Sequence, residues 1–220
     1  MRNWIGCAAI ALTMLSAPAR AQDDAAGPLS IDIAYKGDVV GVAAGDARGV
    51  RYLDNIDLLA SLDLNRAVGW RGGTAFASLL NNLGGRPNDI AGTLQGVDNI
   101  EVAAPDLLLY QAWVQQSFAG DRLSVLVGKY DLNSEFYTTD AASHLIAPAF
   151  GIGSELAATG PNGPSIFPRT DLAIRLRAGD ERHYAQAVAI RAPRGTTDDG
   201  GRRSALFVAE AGWQIGRAHV

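Results

Sequence analysis

The stretch NIDLLASLDL, residues 55–64, alternates apolar and polar side chains along most of its length. Successive side chains of a β-strand point to opposite faces, so this two-residue period predicts a strand with one apolar and one polar face. The stretch LSIDIAYK, residues 29–36, repeats the pattern. These two segments are the clearest indication that the chain is built from β-strands.

Six further segments show the same period with varying clarity. They lie at residues 70–81, 108–118, 123–127, 172–177, 184–191 and 206–215. Four of them are close to the roughly 9–11 residues with which a tilted strand crosses a bilayer, and those at 123–127 and 172–177 are shorter. No apolar run after residue 21 approaches the ~20 residues of a transmembrane helix. The pattern therefore predicts an all-β protein, a transmembrane antiparallel β-barrel of the porin type with about eight strands present.

The first 21 residues are typical of a signal peptide. Arg2 supplies a positive start, an apolar run follows from Ile5 to Leu15, and Ala19-Arg20-Ala21 is a small-residue cleavage site. We expect cleavage after Ala21, which leaves residues 22–220 as a partial β-barrel domain. The single cysteine, Cys7, lies within the signal, so the exported chain would carry no thiol for a disulfide or a thiolate metal site.

The composition distinguishes a barrel wall from other classes of protein. Hydrophobic residues make up 48% and charged residues 19% of the chain, which is apolar for a secreted soluble protein but ordinary for a wall in contact with lipid. Without the predicted signal, which contains two arginines and no acid, 17 basic residues stand against 23 acidic ones, a net charge of −6. Such a chain lacks the basic footprint of a nucleic-acid-binding protein.

Two connections between predicted strands are long and irregular. Residues 82–106 and 132–169 are rich in glycine and proline, and the second contains the run GPNGP at 160–164. Long loops without regular structure are uncommon and usually functional. In a barrel such a loop can fold inward and narrow the lumen, and we expect this of the loop at about 132–169.

Five motifs follow one another through the middle of the chain. They are LQGVDNIE at 94–101, LYQAWVQQSF at 109–118, GKYDLNSEF at 128–136, FGIGSEL at 150–156 and NGPSIFP at 162–168. In this order they resemble the carbohydrate-selective porin (OprB) family of Gram-negative outer membranes. The resemblance implies a barrel of about sixteen antiparallel strands, a pore narrowed by inward loops, passive diffusion of small sugars such as glucose, and assembly as a trimer in the outer membrane.

The chain departs from the family pattern in its strand count. About eight strands are predicted, and the sequence reaches Val220 without the terminal aromatic residue of family barrels. Unpaired backbone groups at an open sheet edge cost several kcal/mol each in hydrocarbon. A closed eight-stranded barrel would instead be filled by its own side chains. The prediction is therefore an incomplete barrel, an N-terminal portion of a porin.

Charged residues at lumen-facing positions are the candidates for the sugar path, because rings of charge set the field across a pore. On strands these are Asp57, Arg175, Arg177, Arg191 and Glu210; where a strand enters the long loop they are Lys129, Asp131 and Glu135. A solvated or simply paired charge is the alternative at each position. Phe136, Phe150 and Phe167 are predicted to anchor loops or to stack on sugar rings, and Trp113 is open between an interfacial girdle and the lumen.

No catalytic residue, cofactor or metal site is predicted, and the chain is interpreted as a channel rather than an enzyme. The three histidines lack metal-ligand spacing, and the GPNGP run lacks the Lys-Ser/Thr of a phosphate loop. Two alternatives to a sugar porin remain open: a soluble periplasmic β-sandwich that binds sugar, and a nonfunctional truncated porin. A sandwich buries its apolar face, whereas a barrel exposes it to outer-membrane lipid.

Overall fold

The computed structural model describes residues 9–14 by their backbone and residues 27–45, 47–139, 144–153, 167, 169–180, 182–191 and 205–213 in full. The described strands form one antiparallel sheet in chain order. Their bounds are β1 Ala9–Met14, β2 Leu29–Val42, β3 Gly49–Asp63, β4 Gly73–Gly84, β5 Asp106–Phe118, β6 Leu123–Tyr130, β7 Asp171–Gly179, β8 His183–Arg191 and β9 Ala205–Trp213. Two short helices, α1 Leu64–Val68 and α2 Asn88–Ala91, lie between strands.

All eight predicted strands are confirmed, as β2 to β9. The additional strand, β1, lies within the predicted signal peptide and pairs with β2 from Ala9 opposite Val42 to Met14 opposite Gly37. The predicted cleavage site at residues 19–21 lies outside the described residues, and cleavage stays a prediction. Removal of residues 1–21 would leave β2 as an edge strand.

The sheet has two chemically different faces. We call outer the face that carries the exposed apolar side chains; they include Ile31, Ile33, Leu58, Val127, Leu172, Ile174, Phe207 and Trp213. Ile31 is 55% and Phe207 78% exposed. The inner face carries buried polar residues, including Asn55, Ser124, Arg175 and Gln186, beneath chain segments that connect the strands. A contiguous apolar face of this size marks a surface that contacts lipid or another protein.

The β-sandwich alternative is wrong, because a sandwich needs two sheets that bury their apolar faces against each other. Here the described strands form a single sheet whose β1 and β9 are not paired, and its apolar face stays exposed. The sheet is therefore open, as an incomplete barrel requires. Among the described residues, no helix has both the length and the apolarity to span a bilayer.

A β-bulge in β5 interrupts the alternation of its side chains between the two faces. Ser78 of β4 lies opposite Gln111, whereas the next residue, Leu79, lies opposite Leu109, so Tyr110 is an extra residue. Two residues on the bulged strand then oppose one on its partner, which interrupts the alternation. Tyr110 is 8% exposed and shares the inner face with Gln111, although strict alternation would separate them.

Candidate functional site

The chain segment after β6 folds back over the inner face. At its start the Asp131 side chain accepts a hydrogen bond from the backbone N–H of Asn133, which caps a 3₁₀ helix at Leu132–Ser134. Leu132 and Phe136 are both 0% exposed and pack with inner-face residues of β6, β7 and β8; these are Leu126, Tyr130, Ala173, Val188 and Ile190. The segment 131–137 is thus held by apolar packing as well as by its cap.

A bidentate ion pair joins this segment to the wall. Arg175 Nε and Nη2 donate to the two carboxylate oxygens of Glu135 at 2.7 and 2.8 Å. Arg175 is 2% exposed, and its remaining donors reach Ser124 Oγ at 2.6 Å and Gln115 Oε1 at 2.7 Å. The phenol of Tyr130 also donates to Glu135, at 2.7 Å. Bidentate arginine–carboxylate pairs of this kind are among the strong hydrogen bonds in proteins and also fix geometry.

A second polar group, centred on Glu210 of β9, continues the site across the inner face. Glu210 accepts hydrogen bonds from Tyr184 Oη at 2.7 Å, from Gln186 Nε2 at 3.2 Å and from the backbone N–H of Tyr137 at 2.7 Å. Gln186 Nε2 also donates to the backbone carbonyl of Glu135 at 2.8 Å. The segment 131–137 is therefore fixed to β7, β8 and β9 together.

Arg177 differs from Arg175 in its partners. Its guanidinium donates to Gln186 Oε1 at 3.1 Å and lies 4.4 Å from the centre of the Tyr184 ring. In the described part of the chain, no carboxylate forms an ion pair with it. Arg177 is thus a partly exposed cation beside the segment 131–137. We call this segment the clamped segment, because the Glu135–Arg175 ion pair holds it on the wall.

The inner face therefore brings together four of the residues singled out in the sequence, Arg175, Arg177, Glu135 and Glu210. Asp57 and Asp131 also lie on this side, in a neighbouring cavity described below. Phe136 is buried under the segment 131–137, and Phe167 makes an edge-to-face contact with Tyr110, with centroids 6.3 Å apart. Phe150 is 51% exposed at the end of a 3₁₀ helix, Pro148–Phe150, so its side chain is not buried as an anchor.

Two predicted lumen positions are corrected. Lys129 shares the outer face with Val127, because β6 runs without a bulge to Tyr130 and alternation continues; its Nζ donates to the Thr170 carbonyl at 2.7 Å. Arg191 follows the inward-facing Ile190 and so falls on the outer side of β8, at the strand end. There it pairs with Asp171 at 2.6 Å.

The cavity lies on the inner face at β3, β4 and β5 and has a volume of about 340 Å³. Its polar walls include Asn55, Asp57 and Asn133, and its aromatic walls are Tyr110 and Phe167. Tyr110 hydrogen-bonds to Asp131, which ties this cavity to the start of the clamped segment. Burial raises the pKa of Asp131 to about 6.

Two buried carboxylates, Asp38 and Asp98, lie where the loop before β5 meets the wall. Asp98 is 2% exposed and Asp38 of β2 is 0% exposed. Within the described chain, neither carboxylate oxygen of Asp38 accepts a hydrogen bond, and neither does Oδ2 of Asp98. Asp98 Oδ1 accepts from the backbone N–H of Ile100 at 3.0 Å, and Lys36 Nζ lies 3.5 Å from Asp38. Burial, with the charges of Asp38 and then Glu101, raises the pKa of Asp98 to about 6 despite the opposing effect of Lys36.

This pair makes the attachment of the loop dependent on pH. The folded pKa of Asp98, about 6, lies above the unfolded value near 4, so the folded loop binds more protons and its stability falls as pH rises from about 4 to about 6. Two pKa units correspond to roughly 100-fold in the opening equilibrium. We expect hydrogen exchange at the Ile100 amide, corrected for intrinsic rate, to accelerate over this range and to level off above it. In D98N the dependence should be lost; an unchanged pH profile in that variant would contradict the assignment.

Several residues of the site escape a reading of the sequence. The two polar groups are completed by Ser124, Gln115, Gln186 and Tyr184. Uncharged polar side chains are common on strands, so the sequence does not distinguish these four from others. Their position on the polar face was the available signal. Trp113, left open above, lies on the inner face and stacks on Phe76 at 4.9 Å between ring centres.

Comparison with known proteins agrees with the fold described above. A solved structure of Pseudomonas putida OprB, determined at high pH, superposes with a TM-score of 0.72 at 21% sequence identity and covers 86% of this chain and 49% of its own. The chain therefore spans about half the length of that protein. No curated protein sequence matches. The sequence profile of the carbohydrate-selective porin, OprB family, matches residues 47–218, so the chain belongs to that family.

Proposed function

We propose that this chain forms part of the wall and the constriction of an outer-membrane pore, through which small uncharged sugars diffuse passively. The observation that carries the proposal is the segment 131–137, held on the polar inner face by the Glu135–Arg175 ion pair. The opposite face of the same sheet exposes large apolar side chains. A wall with lipid outside, and a polar passage narrowed by a loop inside, is the architecture of a porin.

The charges of the constriction suit neutral, hydroxyl-rich solutes. The charge of Arg175 is balanced by Glu135, and Glu210 is surrounded by donors from Tyr184, Gln186 and Tyr137. With Arg177 on the same face as Glu210, two positive charges stand against two negative ones, which leaves a dense array of donors and acceptors with a small net field. Sugar hydroxyls can exchange water for such groups at little cost, whereas an ion would lose more of its hydration.

A complete passage needs more strands than the described sheet supplies. Backbone groups at its two edges would be unpaired in hydrocarbon, at several kcal/mol each, so in a membrane these edges must pair with further strands. We propose that the strands described here form one part of such a barrel. Outer-membrane location in a Gram-negative bacterium, export by residues 1–21 and assembly as a trimer belong to the same proposal. The proposed passage requires no catalytic group or cofactor.

We expect Arg177→Ala to lower sugar flux about three- to tenfold, because a partly exposed guanidinium with free donors can bind hydroxyls as they pass. The measurement is the swelling rate of proteoliposomes in D-glucose, with the protein extracted from outer membranes. Arg182→Ala, in the exposed turn between β7 and β8, is the matched control and should leave the rate unchanged. Equal rates for R177A and the unmodified protein would remove Arg177 from the path.

Two further outcomes would speak against the proposal as a whole. A purified protein that stays monodisperse in buffer without detergent would have no lipid-facing wall. A chain found only in aggregates, and never in the outer-membrane fraction, would favour the nonfunctional remnant.

A further inference from the structure

We infer that the 340 Å³ cavity is a monosaccharide subsite whose Asp57 carboxylate selects neutral and cationic sugars and rejects anionic ones. The inference rests on the proposed function and adds a site apart from the Arg175–Glu135 constriction. Ligand sites range from about 300 to 1,000 Å³, so this cavity suits a single sugar unit rather than an oligosaccharide.

Asp57 is available to a ligand. It lies on the inner face of β3, opposite Leu80 of β4, and contributes to the cavity wall. In the described ranges no side chain donates a hydrogen bond to its carboxylate or forms an ion pair with it. The carboxylate is partly buried and, without protein donors, is left to water, which sugar hydroxyls can replace with charge-assisted hydrogen bonds.

The remaining walls supply what a sugar ring needs besides hydroxyl partners. The amide of Asn55, next to Asp57 on the same face of β3, offers both a donor and an acceptor. Tyr110 and Phe167 meet edge to face at 67° between ring planes, and Ile152 adds further apolar surface. A pyranose has an apolar face of C–H groups that packs against such rings, while its hydroxyls turn toward Asn55 and Asp57.

Charge at the cavity argues for selectivity by sign. Asp131 hydrogen-bonds to Tyr110, so two acids, Asp57 and Asp131, flank the same ring. No lysine or arginine lines the cavity in the described chain. Lys36 reaches the wall residue Asn99 at 2.6 Å, but its charge is opposed by Asp38 at 3.5 Å. A cleft lined by one sign of charge raises the local concentration of opposite charge and repels like charge. A sugar acid is therefore disfavoured here, and an amino sugar is favoured.

Saturation-transfer NMR on the full chain in lauryldimethylamine oxide, a detergent without a sugar headgroup, tests the subsite. The probes are D-glucose, D-glucuronate and D-glucosamine. We expect glucose to bind, glucuronate to bind about tenfold more weakly, and glucosamine to bind more tightly than glucose. Asp57→Ala should weaken glucose binding roughly tenfold, and Phe167→Ala should weaken all three probes. Asp57→Asn should bring glucuronate and glucose to within about twofold of each other.

Controls separate failure of this inference from failure of the proposed function. Asp32→Asn removes an acid from the same face of the neighbouring strand β2, outside the cavity, and should leave the order of the three probes unchanged. Glucose binding that is lost in R177A but unaffected by D57A and F167A would place the sugar at the constriction alone and overturn the subsite. Absence of any sugar signal in the unmodified protein would overturn the subsite and count against the sugar pore itself.

Discussion

Phe136→Ala is expected to lower the free energy of unfolding by about 3–5 kcal/mol, the largest stability change among the substitutions considered. Phe136 is 0% exposed and is the side chain by which the segment 131–137 enters the core of β6, β7 and β8. Truncation removes the buried ring and leaves a cavity that the surrounding strands cannot fill. Denaturant unfolding in detergent, followed by intrinsic fluorescence, measures the change.

Phe150→Ala is the matched control for this truncation. The two residues belong to the same long connection, but Phe150 is 51% exposed, so its removal should change stability by no more than about 0.5 kcal/mol. Similar losses for the two variants would mean that the segment 131–137 does not pack on the wall as described.

Glu135→Ala is expected to have the second largest effect, because it leaves the Arg175 guanidinium, 2% exposed, without its counterion. Breaking a buried pair in this way costs about 3–5 kcal/mol. The loss should lie near the lower value, since Glu135 is partly exposed and Ser124 and Gln115 still accept from Arg175. An opening equilibrium shifted by about 3 kcal/mol raises hydrogen exchange roughly 100-fold.

Hydrogen exchange at two backbone amides reports on this release. The Phe136 amide donates to the Leu132 carbonyl at 3.0 Å, and the Tyr137 amide donates to Glu210 at 2.7 Å. Both should exchange faster in Glu135→Ala. Glu135→Gln keeps an acceptor oxygen for Arg175 and should have a smaller effect. Unchanged protection in the alanine variant would show that packing of Phe136 alone holds the segment.

The variants Glu135→Ala and Arg177→Ala distinguish an effect on stability from an effect on the passage of sugars. Arg175 contacts the clamped segment and acts by positioning it, whereas the contacts of Arg177 among the described residues are with Gln186 and the Tyr184 ring. In the proposed pore, loss of the Glu135–Arg175 ion pair should widen the passage and make it less selective by size. Loss of Arg177 should slow sugars without changing the size limit.

The eight strands and their two faces could be read from the sequence because side-chain alternation is local. Ile56 and Leu58 mark an apolar face and Asn55 and Asp57 a polar one, whatever lies elsewhere in the chain. The same alternation, followed strictly, would have placed Lys129 with Val127 on the outer face, where it lies. Its place in the alternation predicted the face of Lys129 correctly, whereas its position beside the long loop did not.

Three features depended on the tertiary structure. The bulge at Tyr110 is a shift in the pairing register of β4 and β5, so the sequence of β5 alone does not predict it. Glu135 and Arg175 are 40 residues apart, and their contact depends on the path of a loop over a finished sheet. The cavity likewise joins Asp57 to Phe167 across β4 and β5. Alternation is decided by the geometry of successive residues, whereas register, loop path and cavity shape are decided by contacts between distant ones.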